Sequence, residues 1–438
     1  MFEHLDDPSP PEPTAHDVAA VFARSAALTR RRATSTFAVA GLGILILGVV
    51  IGLVVPRSPS AMRVTDLALH AGVLATGLPV PTTDVVGAVF PDDQHGFALT
   101  VGSGKAALVA TSDGGDTWQV VQGDLPVDSE AQLDFTSLAH GYLWGGSPSN
   151  SGALPLWVTD DGGQSWAEAP IGPVVSDVSA IGLDVWAVAG TCPLSSTTGA
   201  SSCPVDLEVS ADGGVTWSLS AAAPPLFESS QPSYSDQDVE LARMTLAHAY
   251  VLTFDPAGEN PGLERLVYTA DGGQSWTVLP DPCAASYAYS EIAGSGTDDL
   301  WLICATPPSA GAQAKALYRS YDGGMTWALT STTGNSPLPA TGGLPAAGYV
   351  APASLGHYNL AVTSAAQAWL FPDRGSVYET TDGGHTWRMV QGLVAAGFSG
   401  IGTNGNVVFA DATHGWVDEP GVGIWRTTNA TSWQQLGT

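Results

Sequence analysis

Residues 111–118 read Thr-Ser-Asp-Gly-Gly-Asp-Thr-Trp, and the pattern Ser/Thr-x-Asp-Gly-Gly-x-Ser/Thr-Trp returns at 159–166, 210–217, 269–276, 320–327 and 380–387. A seventh, worn copy at 427–433 keeps Thr427, Asn429 and Trp433 but is one residue short and has no glycines. The seven tryptophans stand 48, 51, 59, 51, 60 and 46 residues apart. A period of that length marks one supersecondary unit repeated along the chain. The chemistry of the motif is that of a tight turn. An Asp side chain accepts hydrogen bonds from backbone N–H groups ahead of it. Two glycines supply positive φ, and the Trp ring packs back on its own blade. The residues Asp113, Trp118, Asp161, Trp166, Asp212, Trp217, Asp271, Trp276, Asp322, Trp327, Asp382 and Trp387 are therefore read as structural. One residue filling the same slot in six units is a folding device and not six active sites.

A second mark confirms the count. An aromatic follows a short turn upstream of each motif: Phe97, Tyr142, Trp186, Tyr250, Trp301, Trp369 and Trp416. Each unit reads as two strands joined by a tight turn, a third strand, the Asp-Gly-Gly turn, and a fourth strand from the Trp onward. In the first unit these fall near 85–90, 96–101, 106–111 and 117–121. His95, His140 and His414 occupy the same turn slot, which makes them turn formers. Four short strands in about 50 residues make one propeller blade. The prediction is an all-β, seven-bladed β-propeller of four-stranded blades over residues 84–438.

The motif resembles the Asp-box (BNR-like) repeat of sialidases, sortilin-type receptors and xyloglucanases. The wider pattern, Phe-x-Asp-x-x-x-Gly-aromatic followed by the Asp-Gly-Gly turn, is most similar to the photosystem II stability/assembly factors. Phe90-Pro-Asp92 with Gly96-Phe97, and Phe409-Ala-Asp411 with Gly415-Trp416, show it best. The resemblance covers residues 83–438 and implies a fold more than a function. The assembly-factor likeness implies a non-enzymatic scaffold for protein binding or complex assembly. The other relatives imply the alternative, a glycoside hydrolase or glycan-binding receptor. Sialidases need an arginine triad and a Phe-Arg-Ile-Pro motif, and that motif is absent here.

Outside the repeats, residues 37–55 are an unbroken run of 19 apolar or glycine residues, preceded by Arg30, Arg31 and Arg32. As a helix the run reaches about 28 Å, close to the hydrocarbon thickness of a bilayer. The expected division is a cytoplasmic tail (1–35), a transmembrane helix (36–55), a linker (56–83) and an exported propeller (84–438). The positive-inside tendency sets that orientation. A cleaved signal peptide is the rival reading, against which stand the length of the core and of the leader. The segment 64–77 could add an outer strand to the last blade. The four cysteines all follow the apolar run, and an even count in an exported domain suggests disulfides, Cys192–Cys203 and Cys283–Cys304.

The net charge of −28 lies wholly in residues 63–438, with 37 acids against 9 bases. That surface repels phosphate backbones, which excludes nucleic acid as a partner, and suits a basic one. No metal or cofactor is expected, since neither a CxxC nor a paired His at ligand spacing occurs. The insertions at 190–205, 221–237, 256–262, 306–313 and 331–357 fall in connections that emerge on one face, opposite the Asp-Gly-Gly turns. Long loops on one face of a repeat fold mark its binding face. The candidate binding residues are Phe227, Glu228, Tyr234 and Asp236 in the second loop and Tyr349, His357 and Tyr358 in the last. An exported or membrane protein is the expected partner, with a glycan as the alternative.

Overall fold

The computed structural model describes residues 85–102, 105–146, 154–190, 205–224, 239–253, 265–283, 287, 289–307, 312–333, 343–350, 359–400 and 405–436. The predicted tail, transmembrane helix and linker lie outside these residues, as does the segment 64–77. Among the described residues no helix is long and apolar enough to cross a membrane. The described residues form seven antiparallel sheets of four strands, each sheet built from consecutive strands. The chain is a seven-bladed β-propeller.

Within a blade the strands follow one another by hairpin register, as in Phe97 opposite Ala110 and Ala110 opposite Gln119. The first strands are Val85–Val89, Gln132–Phe135, Val174–Ile181, Val239–Arg243, Tyr289–Gly294, Leu360–Val362 and Asn406–Phe409. Those of successive blades pack side by side and form the inner wall. The seven upstream aromatics all lie on second strands and are almost wholly buried. They anchor the core, which sits between blades. One apolar cluster fills each seam, such as Phe97, Leu99, Leu108, Phe135 and Leu143 between blades one and two. Burial of aromatic rings of this kind dominates the cohesion of such a core.

The Asp-Gly-Gly turns share one geometry. In blade one the Thr117 N–H donates to Asp113 Oδ1 at 2.8 Å and its hydroxyl to Oδ2 at 2.6 Å. Thr111 Oγ1 donates to Asp113 Oδ1 at 2.8 Å and accepts from the Gly115 N–H at 2.9 Å. Asp161, Asp212, Asp271, Asp322 and Asp382 accept from the matching N–H and hydroxyl four residues ahead. Both glycines have positive φ, +72° at Gly114 and +99° at Gly115, which is why the motif needs them. In the worn seventh copy Ala430 takes φ +57°, and Asn429 Oδ1 still accepts from the N–H groups of Thr431 and Ser432.

The tryptophans of the motif correct the expectation in two ways. Trp118, Trp166, Trp217, Trp276, Trp327 and Trp387 do not begin the fourth strands, which start one residue later, as in Gln119–Leu125. Each Trp still belongs to the turn. Nor do their rings pack only on their own blade; each enters the seam with the blade before it. Trp118 joins Trp416 and Ile424 of blade seven, and Trp166 joins Phe97 and Leu108 of blade one. Trp217 meets the cluster of Tyr142 and Trp144, Trp276 that of Trp186 and Val188. Trp327 meets that of Tyr250 and Leu252, and Trp387 that of Trp301 and Ile303. A turn has no sheet beneath it to cover an indole, so the ring buries its area against the neighbouring blade. The indole N–H groups of Trp166, Trp217 and Trp387 donate back to the second glycine of their own turns, while that of Trp276 donates to Ala222 O at 3.0 Å, just past the fourth strand of blade three. Trp118 and Trp387 are buried, and the other four are half-buried.

A short helix, Gln391–Ala395, also interrupts the all-β pattern, between blades six and seven. It lacks a side-chain cap and is held by burial of Leu393 against Trp433 and its neighbours. The first and last blades exchange no strand among the described residues. Side chains and one backbone bond, from the Gly421 N–H to Val85 O at 3.2 Å, close the ring instead. Phe90 stacks on Trp416 at 4.2 Å between centroids, and Arg426 reaches from blade seven to the Asp113 turn of blade one.

One predicted disulfide, Cys283–Cys304, is present and ties the connection after blade four to the second strand of blade five. The other predicted pair, Cys192 and Cys203, lies outside the described residues.

Candidate functional site

The inner wall carries a row of mostly polar residues. Counting back 10 residues from the buried aromatic, or 9 in blade three, gives Gly87, Gln132, Asp177, Glu240, Glu291, Asn359 and Asn406. All but Asn359 lie on first strands, opposite the second residue after that aromatic. Asn359 immediately precedes its strand and accepts from the Phe371 N–H, which keeps the same register. Three of the carboxylates make the same bond to the following blade. Asp177 Oδ2 accepts from the Leu241 N–H at 2.6 Å, and Glu240 Oε1 from the Ile292 N–H at 3.1 Å. Glu291 Oε1 accepts from the Leu360 N–H at 3.0 Å, while its Oε2 accepts from the backbone and side-chain nitrogens of Asn359. Asp418, paired with Asn406 in blade seven, accepts from the Ala88 N–H of blade one. The row is a girdle that joins inner strands which share no sheet.

Burial sets the electrostatics of this girdle. Desolvation pushes the Asp177 carboxyl up to about 8, against the N–H bonds from Leu241 and Val178. It raises Glu291 and Asp418 to about 7. Glu240 is raised well above the usual range, first by desolvation and then by repulsion from Glu291 and Asp177. Among the described residues its Oε2 has no hydrogen-bond partner. These groups are buried and committed to backbone donors, so they are poor candidates for an acid–base pair, which must reach a substrate.

The turn face shows the opposite behaviour. Hydrogen bonds from Thr216 and Ser275 hold the exposed Asp212 and Asp271 carboxyls down at about 2. At the neighbouring hairpins, His95 Nδ1 lies 2.9 Å from Asp92 and His414 Nδ1 lies 2.8 Å from Asp411. Among the described residues no cluster of His, Cys, Asp and Glu could hold a metal ion.

Of the seven predicted binding residues, Phe227, Glu228, Tyr234, Asp236, His357 and Tyr358 lie outside the described residues. Tyr349 is described. It is half-buried, and its backbone exchanges hydrogen bonds with that of Asp373 at 2.8 and 2.7 Å. The Arg374 guanidinium stands 5.9 Å from its ring centroid. The stretch around it is strapped to blade five. Lys315, almost fully buried, donates from Nζ to the carbonyls of Gln313, Pro345, Ala347 and Gly348. Gln313 Oε1 accepts from the Val350 N–H at 2.7 Å. Part of the last long loop is thus an ordered wall. Sequence reasoning overlooked both this lysine and the girdle. The fixed offset from each aromatic was the signal that could have revealed the girdle.

No protein-family model and no curated protein sequence matches the chain. Solved structures resemble it in fold. YCF48 bound to D1 peptide aligns over 80% of this chain and 95% of its own, with TM-score 0.49 and 18% identity. YCF48 from Cyanidioschyzon merolae aligns over 80% and 97%, with TM-score 0.49 and 16% identity. The GH74 enzyme of Niastella koreensis aligns over 80% and 65%, with TM-score 0.38 and 15% identity. At these identities the likeness is one of fold.

Proposed function

We propose that this propeller is a non-enzymatic scaffold that binds an exported or membrane protein through its long-loop face. In this reading the helix at 36–55 tethers it, with residues 1–35 cytoplasmic and residues 56–438 extracytoplasmic. The observation that carries the proposal is the state of the inner-wall acids. The carboxylates that crowd the axis are buried and spent on holding the next blade, so the wall is built for cohesion. The segment around Tyr349, itself part of the last long loop, supports the choice of face, because Lys315 and Gln313 strap it to blade five.

The test is a pull-down of the full chain from detergent-solubilised membranes. A variant with residues 225–238 and 351–358 cut to short Gly/Ser turns serves as comparison, since it leaves the Lys315 strap intact. A protein captured by the intact chain and lost with the variant supports the scaffold. Equal capture by both, or none by either, refutes the loop-face reading, and a glycan screen follows. Protease accessibility of the propeller in intact cells tests the orientation: protection from outside would refute it.

A further inference from the structure

The seam between blades one and two differs from the seams closed by arginine. On third strands, the residue opposite the buried aromatic faces the following blade. In blades five and seven it is Arg319, opposite Trp301, and Arg426, opposite Trp416. Arg319 Nη1 donates to the carbonyls of Ala365 and Gly383, the hairpin and first turn glycine of blade six. Arg426 Nη1 donates to Asp113 and Gly114 at the same turn of blade one. Between blades four and five the Tyr250 hydroxyl takes the matching pair, Thr297 and Gly323.

In blade one the same position is Ala110, opposite Phe97. The matching acceptors in blade two are the carbonyls of Leu138 and Gly162. Among the described residues neither one accepts a backbone hydrogen bond. A Cβ built on Gly162 meets only atoms of Leu138 within 4 Å, whereas one on Gly383 meets the Arg319 guanidinium at 3.2 Å. The space left by the small side chain is a cleft of about 290 Å³, lined by Phe97, Ala110, Thr117 and Leu138 among others. Val120 and Leu138 form an apolar rim, 62% and 47% exposed.

We infer that this cleft takes an arginine side chain from a basic partner protein, in the manner of Arg319 and Arg426 inside the fold. In both seams one guanidinium nitrogen, Nη1, satisfies two carbonyls from one side. The rim covers the alkyl stem. Strong negative charge over residues 63–438 draws a basic partner toward the surface. The cleft lies on the short-turn face, so this site is independent of the long-loop reading.

The experiment is methyl NMR of the full chain in detergent, titrated with the blocked tripeptide acetyl-Gly-Arg-Gly-amide. Saturable shifts at Ala110, Val120 and Val121 are expected, with a dissociation constant on the order of 1 mM. The citrulline analogue, neutral and of the same shape, should bind at least about tenfold more weakly, a difference of about 1.4 kcal/mol. Ala110→Arg should abolish the shifts at Val120 and Val121 while the fold, read by circular dichroism, is kept. Ala110→Tyr, which places in blade one the residue type of Tyr268 in blade four, is the second plugging variant. No saturable shift with the arginine peptide would overturn the inference. So would equal binding of the citrulline analogue, or undiminished binding to a folded plugged variant.

Discussion

Replacing Arg426 with alanine tests how much of the ring closure rests on one side chain. The guanidinium donates to Asp113 O at 3.1 Å, Gly114 O at 2.9 Å and Asp116 Oδ1 at 3.0 Å. The arginine side chain is 16% exposed and that of Asp116 is 50% exposed. The ion pair is therefore screened and contributes about 0.5 kcal/mol. The two carbonyl bonds from a charged donor contribute about 1 kcal/mol each. Arg426→Ala should cost roughly 2–3 kcal/mol, or about 3 °C in thermal midpoint for a domain of this size. The control is Lys105→Ala, which breaks an ion pair to Asp124 whose members are 68% and 69% exposed. That change should stay within about 0.5 kcal/mol. Near-ultraviolet circular dichroism follows unfolding, and hydrogen exchange reads the two terminal blades. Equal midpoints for the two variants would refute the closure argument, as would exchange unchanged in blades one and seven.

Stability should fall as pH rises from about 4 to 8. Raised carboxyls such as Asp177, Glu291 and Asp418 keep protons in the folded state that the unfolded chain has already released across that window. The turn acids Asp212 and Asp271 act the other way and weaken the fold only as pH drops below about 4. Calorimetry should show a midpoint about 5 °C lower at pH 8 than at pH 5. Glu240→Gln should flatten that slope, and a flat or rising profile in the parent would contradict the buried girdle. Reducing Cys283–Cys304, which are 21 residues apart, should lower stability by about 2–4 kcal/mol and loosen blade five first. Uniform exchange across all blades after reduction would argue against that local role.

The fold was legible because its decisive residues are local. The Asp-Gly-Gly turn needs positive φ at fixed places, so Gly114 and Gly115 and their counterparts mark every unit but the last. The seam partners of Trp118, Trp166, Trp217, Trp276, Trp327 and Trp387 were not legible, because each ring packs on a blade that the motif itself does not contain. The girdle was not legible as chemistry either. Val239–Arg243 reads as an ordinary alternating strand, and the sequence places Glu240 on one face without saying what it meets. Its partner, the Ile292 N–H, lies in another blade 52 residues away. The roles of Arg319 and Arg426 were hidden for the same reason. Each serves the turn of the next blade and not its own. The helix Gln391–Ala395 has no capping signal to read, and so short a helix depends on tertiary packing.

The ring closure also has a consequence in time. The seam between blades five and six joins residues 46 apart in the Arg319 to Ala365 bond, whereas the closing seam joins residues 310 apart in the Arg426 to Asp116 bond. Bringing the more distant pair together costs roughly 1.7 kcal/mol more in chain entropy. The neighbouring blades can therefore zip up one after another from local contacts. The contact between Trp416 and Phe90 is then expected to form after them.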